Sequence, residues 1–353
     1  MNRKNPKPLT LSIDAMGGDN APGKIVEGVE LALKRHSDVN FILFGDQAKI
    51  KPLLAKFPHA AARSRLIHTE EFVTDDEKPG HALRSGRNSS MRLAINAVSD
   101  AKADGVISAG NTGALMAMAK FVLKTLPGID RPAIATSFPT RRGGSVMLDL
   151  GANITCNADN LVQFAAMGEV FARHVLGLTQ PSVGILNVGS EDAKGSDAVK
   201  MAASILTNTK LPIKFHGFIE GDDIAAGTVD VVVTDGFTGN IVLKASEGMA
   251  RMFGGFLLEA LTGSLMGRLG ALIAGGAINK FKMRVDPRRY NGAMFLGLNG
   301  ICIKSHGSTD SLGFANAIDV AIRLIADNLN EDIRKDVARL GMELQSRHEA
   351  EAV

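Results

Sequence analysis

Apolar and polar stretches alternate along this chain in a pattern that recurs from end to end. A short run of β-branched and other apolar residues ends in a polar, glycine-rich loop, and a segment with helical spacing follows. Fully apolar strands that alternate with helices are typical of a parallel sheet covered on both faces. We therefore predict the α/β class, with a mostly parallel sheet flanked by helices. The runs and the loops after them are residues 9–13 and 14–19, 41–44 and 45–46, 106–107 and 108–113, 146–150 and 151–153, 183–188 and 189–195, 229–233 and 234–240, and 301–303 and 304–310.

The glycine-rich loops are expected to gather along one edge of this sheet. In open α/β sheets, ligands bind beyond the carboxyl ends of the strands, which is where these loops begin. The first loop contains Asp14, Gly17, Gly18 and Asp19, and we predict that it forms one wall of a ligand site. No linker, low-complexity run or fixed-period repeat divides the chain, so we expect a single α/β domain over residues 1–353.

Residues 249–289 depart from the alternating pattern, because they are apolar and rich in glycine over a long stretch. Two helices joined at a glycine fit this segment, and we predict a protruding helical hairpin. One interpretation is a buried helix pair at a dimer interface. The other, which is compatible with the first, is a hairpin whose tip, with Leu272 and Ile273, contacts a bilayer. Lys280, Lys282 and Arg284 would then lie near anionic headgroups.

Composition narrows the function classes further. The chain has 353 residues, 45% of them hydrophobic, with a net charge of +3. It has no Trp and one Tyr, so a stacking platform for nucleic acid is not expected. Cys156 and Cys302 fit a reducing cytosol and show no metal-binding or disulfide spacing. The N-terminal apolar stretch is interrupted at Asp14, so we predict no secretory signal and a cytoplasmic protein.

Nucleotide and metal sites are not predicted. Residues Gly18 and Gly23-Lys24 have P-loop spacing, but Ile25 stands where that motif needs the hydroxyl that holds Mg²⁺. Pro22 also removes a backbone N–H from the loop. The Gly-x-Gly pair of a dinucleotide fingerprint is absent from the sequence, and so are zinc-binding spacings. We expect neither a metal nor a cofactor.

Anion binding is the chemistry that the loops favour. Asn111, Thr112 and Gly113 lead directly into a strong helix former, and N–H groups at a helix N-terminus suit a phosphate oxygen. An ordinary capped helix is the alternative. The amides of Gly189 and Ser190 offer a second set of donors.

Three further loop residues are candidates for the chemistry. Lys194 adds a cation, unless it is a solvated lysine held by a neighbouring acid in the same loop. Asp235 and Asn240 flank a tight turn, where an acid and an amide also serve as caps. His306 is a candidate acid, base or donor, although a lone loop histidine is more often structural.

Seven motifs follow one another along the chain: IDAMGGDNAP, SAGNTGALMAMA, RPAIATSFPT, LDLGAN, NVGSEDAKG, DVVVTDGFTGNIVLKASEG and KSHGSTD. Taken together, they resemble those of the bacterial phosphate acyltransferase (PlsX) family over nearly the whole chain. The resemblance implies a homodimer with an isocitrate dehydrogenase/phosphotransacetylase-like fold. It implies transfer of a fatty acyl group from acyl-carrier protein to inorganic phosphate. The acyl phosphate would then pass to a membrane glycerol-3-phosphate acyltransferase, with this protein peripheral at the inner face of the cell membrane.

Residue roles follow from this resemblance together with the chemistry above. The resemblance implies that Lys194 and Asn240 are active-site residues; we expect Lys194 to neutralise phosphate or the developing oxyanion and Asn240 to be a second donor. We assign phosphate to the loops of Asn111 and Ser190. The stretch YNGAMFLG departs from the family's common YGGAPLLG at Asn291, Met294 and Phe295. The remaining site candidates, for proton handling or for orienting donors, are Asp14, Asp235 and His306.

Two other function classes fit the same pattern. One is a metal-dependent NAD(P) hydroxyacid dehydrogenase on a similar fold, whose adenine site does not require the Gly-x-Gly signature. The other is a non-catalytic scaffold associated with the membrane.

Overall fold

The computed structural model describes residues 8–351, with side chains described up to residue 342. Strands and helices alternate over most of this range. The strands are β1 Thr10–Asp14, β2 Asn40–Gly45, β3 Ser64–His68, β4 Gly105–Ser108, β5 Ala133–Thr140, β6 Gly143–Leu148, β7 Ser182–Leu186, β8 Lys214–Ile219, β9 Val231–Val233, β10 Ala293–Leu296 and β11 Ile301–Lys304.

The helices cover both faces of the sheet and form a separate arm late in the chain. A 3₁₀-helix, Pro287–Tyr290, precedes β10. The α-helices are α1 Gly23–Leu33, α2 Gln47–Leu54, α3 Pro58–Arg63, α4 Pro79–Ser85, α5 Ser90–Ser99, α6 Thr112–Leu123, α7 Ala158–Leu176, α8 Asp197–Asn208, α9 Gly221–Ala226, α10 Gly236–Thr262, α11 Leu265–Ile273, α12 Gly275–Val285, α13 Ser311–Ala326 and α14 Leu329–Glu351.

Within the described residues, eleven strands form one sheet in the order β3-β2-β1-β4-β11-β10-β5-β6-β9-β7-β8. Strands β3, β2, β1, β4 and β11 are parallel to one another, and so are β6, β9, β7 and β8. Strand β10 runs antiparallel to β11 and β5, and β5 runs antiparallel to β6. The sheet is therefore two parallel halves joined by antiparallel strands, which confirms the predicted α/β class with a mostly parallel sheet flanked by helices.

Strand register decides which loops meet. In the first half, Ile13 pairs with Ile107, and Ser108 pairs with Lys304. Asp14, Ser108 and Lys304 therefore leave the sheet side by side. In the second half, Leu148 pairs with Val233 and Ile185 pairs with Val233 on the other side. The loops after β6, β9 and β7 consequently emerge together at the carboxyl ends of that half.

The long helix α10 begins at these loops and runs away from the body of the protein. Its buried residues are Gly236 and Gly239, both in the first turn. Helices α11 and α12 have no buried residue. Among the described residues, no single helix is long and apolar enough to cross a membrane, but α10 and α11, bent by 109°, satisfy those length and composition criteria as a pair. The apolar arm α10–α12 is defined here as residues 249–285.

Candidate active site

Asp14 lies at the carboxyl end of β1, where it is buried and accepts hydrogen bonds from two hydroxyl groups. Ser90 Oγ donates to Asp14 Oδ1 at 2.6 Å, and Ser108 Oγ donates to Asp14 Oδ2 at 2.7 Å. Gly110 N in turn donates to Ser108 Oγ at 3.1 Å. Burial raises the pKa of Asp14, although the two hydroxyl donors lower it. Asp14 therefore fixes the shape of the neighbouring β4–α6 loop, a positioning role rather than contact with a ligand.

The first glycines of the β1 loop permit a close approach of three loops. A methyl group on Gly17 would lie 2.5 Å from Asp14 Oδ2 and 2.6 Å from Gly110 N. A methyl group on Gly18, which has φ +97°, would lie 2.9 Å from the carbonyl oxygen of Gly307. Asp19 N donates to that carbonyl at 3.1 Å. The predicted wall of Asp14, Gly17, Gly18 and Asp19 is thus in contact with the loops after β4 and β11.

The Asn111 side chain is occupied by its own backbone surroundings. Its Oδ1 accepts from Ala114 N at 3.0 Å as the N-cap of α6. Its Nδ2 donates to the carbonyls of Asp75 and Glu77, each at 2.9 Å. The amide therefore caps the helix and holds the segment before α4. The remaining donors for a phosphate in this loop are the exposed Thr112 and the N–H groups of the first turn, including that of Gly113.

Lys304 is the most informative residue of this region that the sequence did not single out. It ends β11, and its Nζ donates to Ala109 O at 3.1 Å and to the carbonyl of Ser305. Burial lowers its pKa to about 8. The sequence did contain a signal for Lys304: it is a charged residue at the end of an apolar strand, and it begins the loop that carries the candidate residue His306. Lys304 joins the loops after β4 and β11 and carries a half-buried positive charge.

His306 follows two residues later, beside the same cluster. Its Nδ1 lies 3.0 Å from Ser308 Oγ, and its backbone N–H donates to Asn291 Oδ1 at 2.9 Å. Burial lowers the pKa of His306, and Lys304 lowers it further. The histidine therefore favours its neutral form, in which it can accept or donate a hydrogen bond but supplies no fixed charge.

The departure at Asn291 has a structural explanation. Its Nδ2 donates to Ser305 Oγ at 2.8 Å and to Gly313 O at 2.7 Å, while its Oδ1 accepts from His306 N. Asn291 therefore clamps both ends of the β11–α13 loop that carries His306. Met294 and Phe295 are completely buried in β10, so these two departures change the core of the sheet.

A second buried carboxylate, Asp149, lies at the end of β6 in the other half of the sheet. Its Oδ1 accepts from the N–H groups of Ile134, Gly151 and Ala152 at 2.9, 3.2 and 3.1 Å. Its Oδ2 accepts from Asn153 N at 2.7 Å and Asn153 Nδ2 at 2.9 Å. Burial raises the pKa of Asp149 and these donors oppose that rise. The carboxylate organises the whole 149–153 loop.

The start of α10 packs directly on that loop. Asp235 is its N-cap and accepts from Thr238 N at 2.7 Å and from Thr238 Oγ1 at 3.1 Å. Gly239 lies against the carbonyl of Asp149, where any side chain would collide with it. Asn240 is exposed and lies beside Gly151. Asp235 thus acts as a cap, whereas the Asn240 side chain has an open position at the β6–β9 loops.

Lys194 lies in the loop after β7. It adopts the alternative considered from the sequence, a solvated lysine held by a neighbouring acid. Its Nζ forms an ion pair with Glu191 Oε1 at 2.8 Å, and half of the side chain is exposed. The hydrogen bond to Glu191 raises the pKa of Lys194. Gly189 is buried beneath the lysine stem, and Ser190 is exposed. A ligand anion would have to compete with Glu191 for this cation.

Helix α10 connects the two halves of the site. Lys244 lies about 13 Å along the helix from Asp235. Lys244 interacts electrostatically with Lys304 and His306, and Glu247 with His306. Lys244 and Glu247 are themselves paired at 3.0 Å. One helix therefore begins at the β6–β9 loops and comes within electrostatic range of the β11 loop two turns later. The region between these two sets of strand-end loops is called the cleft below.

Metal ligation is not apparent in this cleft. Within the described part of the chain, no group of three or more His, Cys, Asp or Glu side chains is placed to hold a metal ion. The thiol of Cys156, near Asp149 and Asp235, has its pKa raised by burial to about 11. It is therefore protonated at neutral pH, which makes it a poor nucleophile.

Comparison with known proteins identifies the family of this chain. The profile of a family described as "Fatty acid synthesis protein" matches residues 9–332. A protein named phosphate acyltransferase from Paramagnetospirillum magneticum is 60% identical over 94% of this chain and 95% of its own length. The protein of the same name from Rhodospirillum centenum is 60% identical over 95% of each.

Solved structures show the same fold at low sequence identity. A phosphotransacetylase from Streptococcus pyogenes is 17% identical with a TM-score of 0.61, covering 91% of this chain and 95% of that one. A 4-hydroxythreonine-4-phosphate dehydrogenase from Klebsiella pneumoniae is 14% identical with a TM-score of 0.52, covering 90% and 99%. These neighbours confirm the predicted isocitrate dehydrogenase/phosphotransacetylase-like fold. From the profile match and the close relatives together, the chain belongs to the phosphate acyltransferase (PlsX) family and is an acyltransferase enzyme.

Proposed function

We propose that this enzyme moves a fatty acyl group from an acyl-[acyl-carrier-protein] thioester to inorganic phosphate and releases acyl phosphate for phospholipid synthesis. The observation that carries the proposal is the placement of helix α10, which begins beside Asn240 and brings Lys244 within electrostatic range of Lys304 and His306. Cations and helix N-termini on both sides of a cleft suit an oxyanion and a phosphate dianion at the same time.

The reaction needs positioning more than an activated side chain. Hydrogen phosphate is an anionic nucleophile at neutral pH, so one of its oxygens attacks the thioester carbonyl carbon directly. The C–O bond forms, the C–S bond breaks, and the proton of hydrogen phosphate goes to the departing thiolate. Lys194 and Asn240 would stabilise the oxyanion. Orientation and preorganised donors each contribute several kcal/mol to such a step, on the order of 7 to 11 for ideal orientation.

A hydroxylamine-trapping assay tests this function. Purified enzyme, acyl-carrier-protein thioester and phosphate should give hydroxamate-forming acyl phosphate without added metal or nucleotide, in proportion to the thiol released. The same assay with the coenzyme A thioester measures donor preference, and we expect the carrier protein to be preferred. Absence of product with a verified donor would refute the proposal, and reduction of NAD(P) by a hydroxyacid would favour the dehydrogenase alternative.

We further propose that the protein is cytoplasmic and peripherally associated with the inner face of the cell membrane. The apolar arm supports this, because Leu265, Leu272 and Ile273 are 84%, 78% and 79% exposed. Lys280 and Lys282 are exposed beyond the tip and suit an anionic surface. Arg284 differs, since it donates to the carbonyl of Arg141 at 2.8 Å and is held by the body of the protein. Acyl phosphate would leave here for a membrane glycerol-3-phosphate acyltransferase.

Contact between the subunits of a homodimer is the other proposed use of the arm, and one double substitution tests both uses. Leu272→Glu with Ile273→Glu is expected to release the enzyme from anionic vesicles in flotation, because two charges oppose insertion of an apolar tip. Met342→Glu, at a residue 65% exposed on α14, is the matched control and should leave vesicle binding unchanged. If the arm variant instead dissociates a dimer while vesicle binding persists, the arm is a subunit contact and the membrane proposal is wrong.

A further inference from the structure

Lys304 is a cation whose surroundings lack a paired negative charge. Its Nζ donates to two backbone carbonyls, those of Ala109 and Ser305. Within residues 8–342, no carboxylate forms an ion pair with it, unlike Lys194, which Glu191 holds at 2.8 Å. An ammonium group has three N–H donors, so one of the three remains for a ligand.

The charges around Lys304 only partly compensate its burial. Asp14, Asp19 and Asp75 each act to raise its pKa, yet burial outweighs them and lowers that pKa to about 8. Asp14 is engaged by the hydroxyls of Ser90 and Ser108. A half-buried cation in this position is stabilised when an anion approaches, because the anion supplies the charge that the surrounding carboxylates do not.

Lys304 also lies close to other groups that can donate hydrogen bonds to an anion. Its bond to Ala109 O places Nζ beside the loop that becomes helix α6, which begins at Thr112. Asn111 caps Ala114 N, which leaves the N–H groups of Thr112 and Gly113 without an intrahelical partner. Lys244, from α10, and His306 are both within electrostatic range of Lys304. A dianion bound between Lys304 and the start of α6 would contact both a cation and the N–H groups of a helix N-terminus.

We propose that Lys304 binds the phosphate group of this reaction, both in substrate phosphate and in the acyl phosphate product, with the N-terminus of α6 as the second contact. The inference rests on the proposed function, which requires a phosphate site in the cleft. Lys194, on the β7 side, then remains for the thioester oxygen. This assignment puts the nucleophilic phosphate at the half of the sheet that contains β1, β4 and β11, beside the loops that Asp14 and Asn291 hold in place.

Calorimetric binding of inorganic phosphate to the full-length enzyme tests the assignment independently of turnover. Lys304→Met is expected to weaken binding about 10- to 100-fold, the loss of one charge-assisted hydrogen bond. Lys24→Met is the matched control: Lys24 lies near the start of α1, paired with Glu27 at 3.1 Å, and its replacement should leave binding unchanged. A folded Lys304→Met enzyme with wild-type affinity for phosphate would overturn the assignment.

The pH dependence separates a ligand-binding lysine from a structural one. A protonated Lys304 binds phosphate, so wild-type affinity should fall as pH rises from about 8 to about 10, through the lowered pKa of Lys304. In Lys304→Arg the charge persists, and the fall should disappear. His306 is neutral throughout this range because its pKa is lowered. Lys244→Met should retain the fall, which excludes Lys244 as its source.

Each outcome decides the question, even if Lys304→Met fails to fold. Constant wild-type affinity over this pH range, or an unchanged fall in Lys304→Arg, would refute the role of Lys304. Phosphate binding that depends on Lys304 in an enzyme that makes no acyl phosphate would refute the proposed function and leave the phosphate site in place. If the enzyme makes acyl phosphate but its phosphate affinity does not depend on Lys304, the proposed function stands and the role of Lys304 is refuted.

Discussion

Replacing Lys194 by alanine is expected to lower kcat by about 100-fold or more, the loss measured when one oxyanion donor is removed from an enzyme. The structure adds a condition, since Lys194 is paired with Glu191 and must exchange that partner for the developing oxyanion. Glu191→Gln should therefore retain activity or raise it. Steady-state kinetics with acyl-carrier-protein thioester and saturating phosphate measure both variants.

Lys200→Ala is the matched control for this prediction. Lys200 is also partly exposed and is paired with an acid three residues earlier, Asp197, at 3.1 Å. Its replacement removes the same charge and the same kind of ion pair from the next helix, α8. We expect Lys200→Ala to keep wild-type kcat. A near-normal rate for Lys194→Ala would remove Lys194 from the mechanism and leave the oxyanion to Asn240 and the backbone.

Replacing Asp149 by alanine is expected to lower the free energy of unfolding by at least about 3 kcal/mol, because buried donors left without an acceptor cost about 1 to 3 kcal/mol each. Four backbone N–H groups and the Asn153 amide lose their common acceptor. Asp149→Asn should not restore stability, since an amide offers one acceptor oxygen and turns an NH₂ group toward N–H donors. Urea denaturation followed by circular dichroism measures the change.

Asp46→Ala provides the comparison for a carboxylate that, among the described residues, accepts one backbone hydrogen bond and otherwise pairs only with the exposed Lys49, at 3.7 Å. Asp46 caps helix α2 by accepting from Ala48 N at 2.9 Å. Loss of one such cap costs about 1 kcal/mol. If Asp149→Ala is no more destabilising than Asp46→Ala, the 149–153 loop does not depend on its carboxylate, and the account of how the β6 side of the cleft is held together is wrong.

Seven of the parallel strands were predictable because each contains a mainly apolar run that is followed by a glycine-rich or polar loop. Strands β5 and β10 were not recognised, although they join the two halves of the sheet. Strand β5 contains polar residues and Pro139, which is atypical of a central strand, and β10 has four residues. Strands β3 and β8 lie at the sheet edges and include charged and histidine residues. The pattern of apolar residues therefore did not reveal either the joining strands or the edge strands.

The site could be predicted by region but not by role. The sequence placed Asp14 and Asn111 at the ends of two strands whose loops the fold brings into contact, because a parallel sheet brings strand ends together. It could not show that Asn111 is committed to Ala114 N, Asp75 and Glu77, since the last two lie in a segment far away in sequence. Lys304 went unrecognised for the same reason: its importance follows from burial between loops that only the fold brings into contact.

The most direct test of the account uses phosphate labelled with ¹⁸O in all of its oxygens. Purified enzyme, acyl-carrier-protein thioester and labelled phosphate are mixed without metal or nucleotide, and the products are identified by mass spectrometry. If a phosphate oxygen attacks the thioester carbonyl, the acyl phosphate carries every labelled oxygen, and one free thiol appears for each acyl phosphate. Unlabelled fatty acid and free thiol, without acyl phosphate, would show that water is the acceptor and would contradict the account.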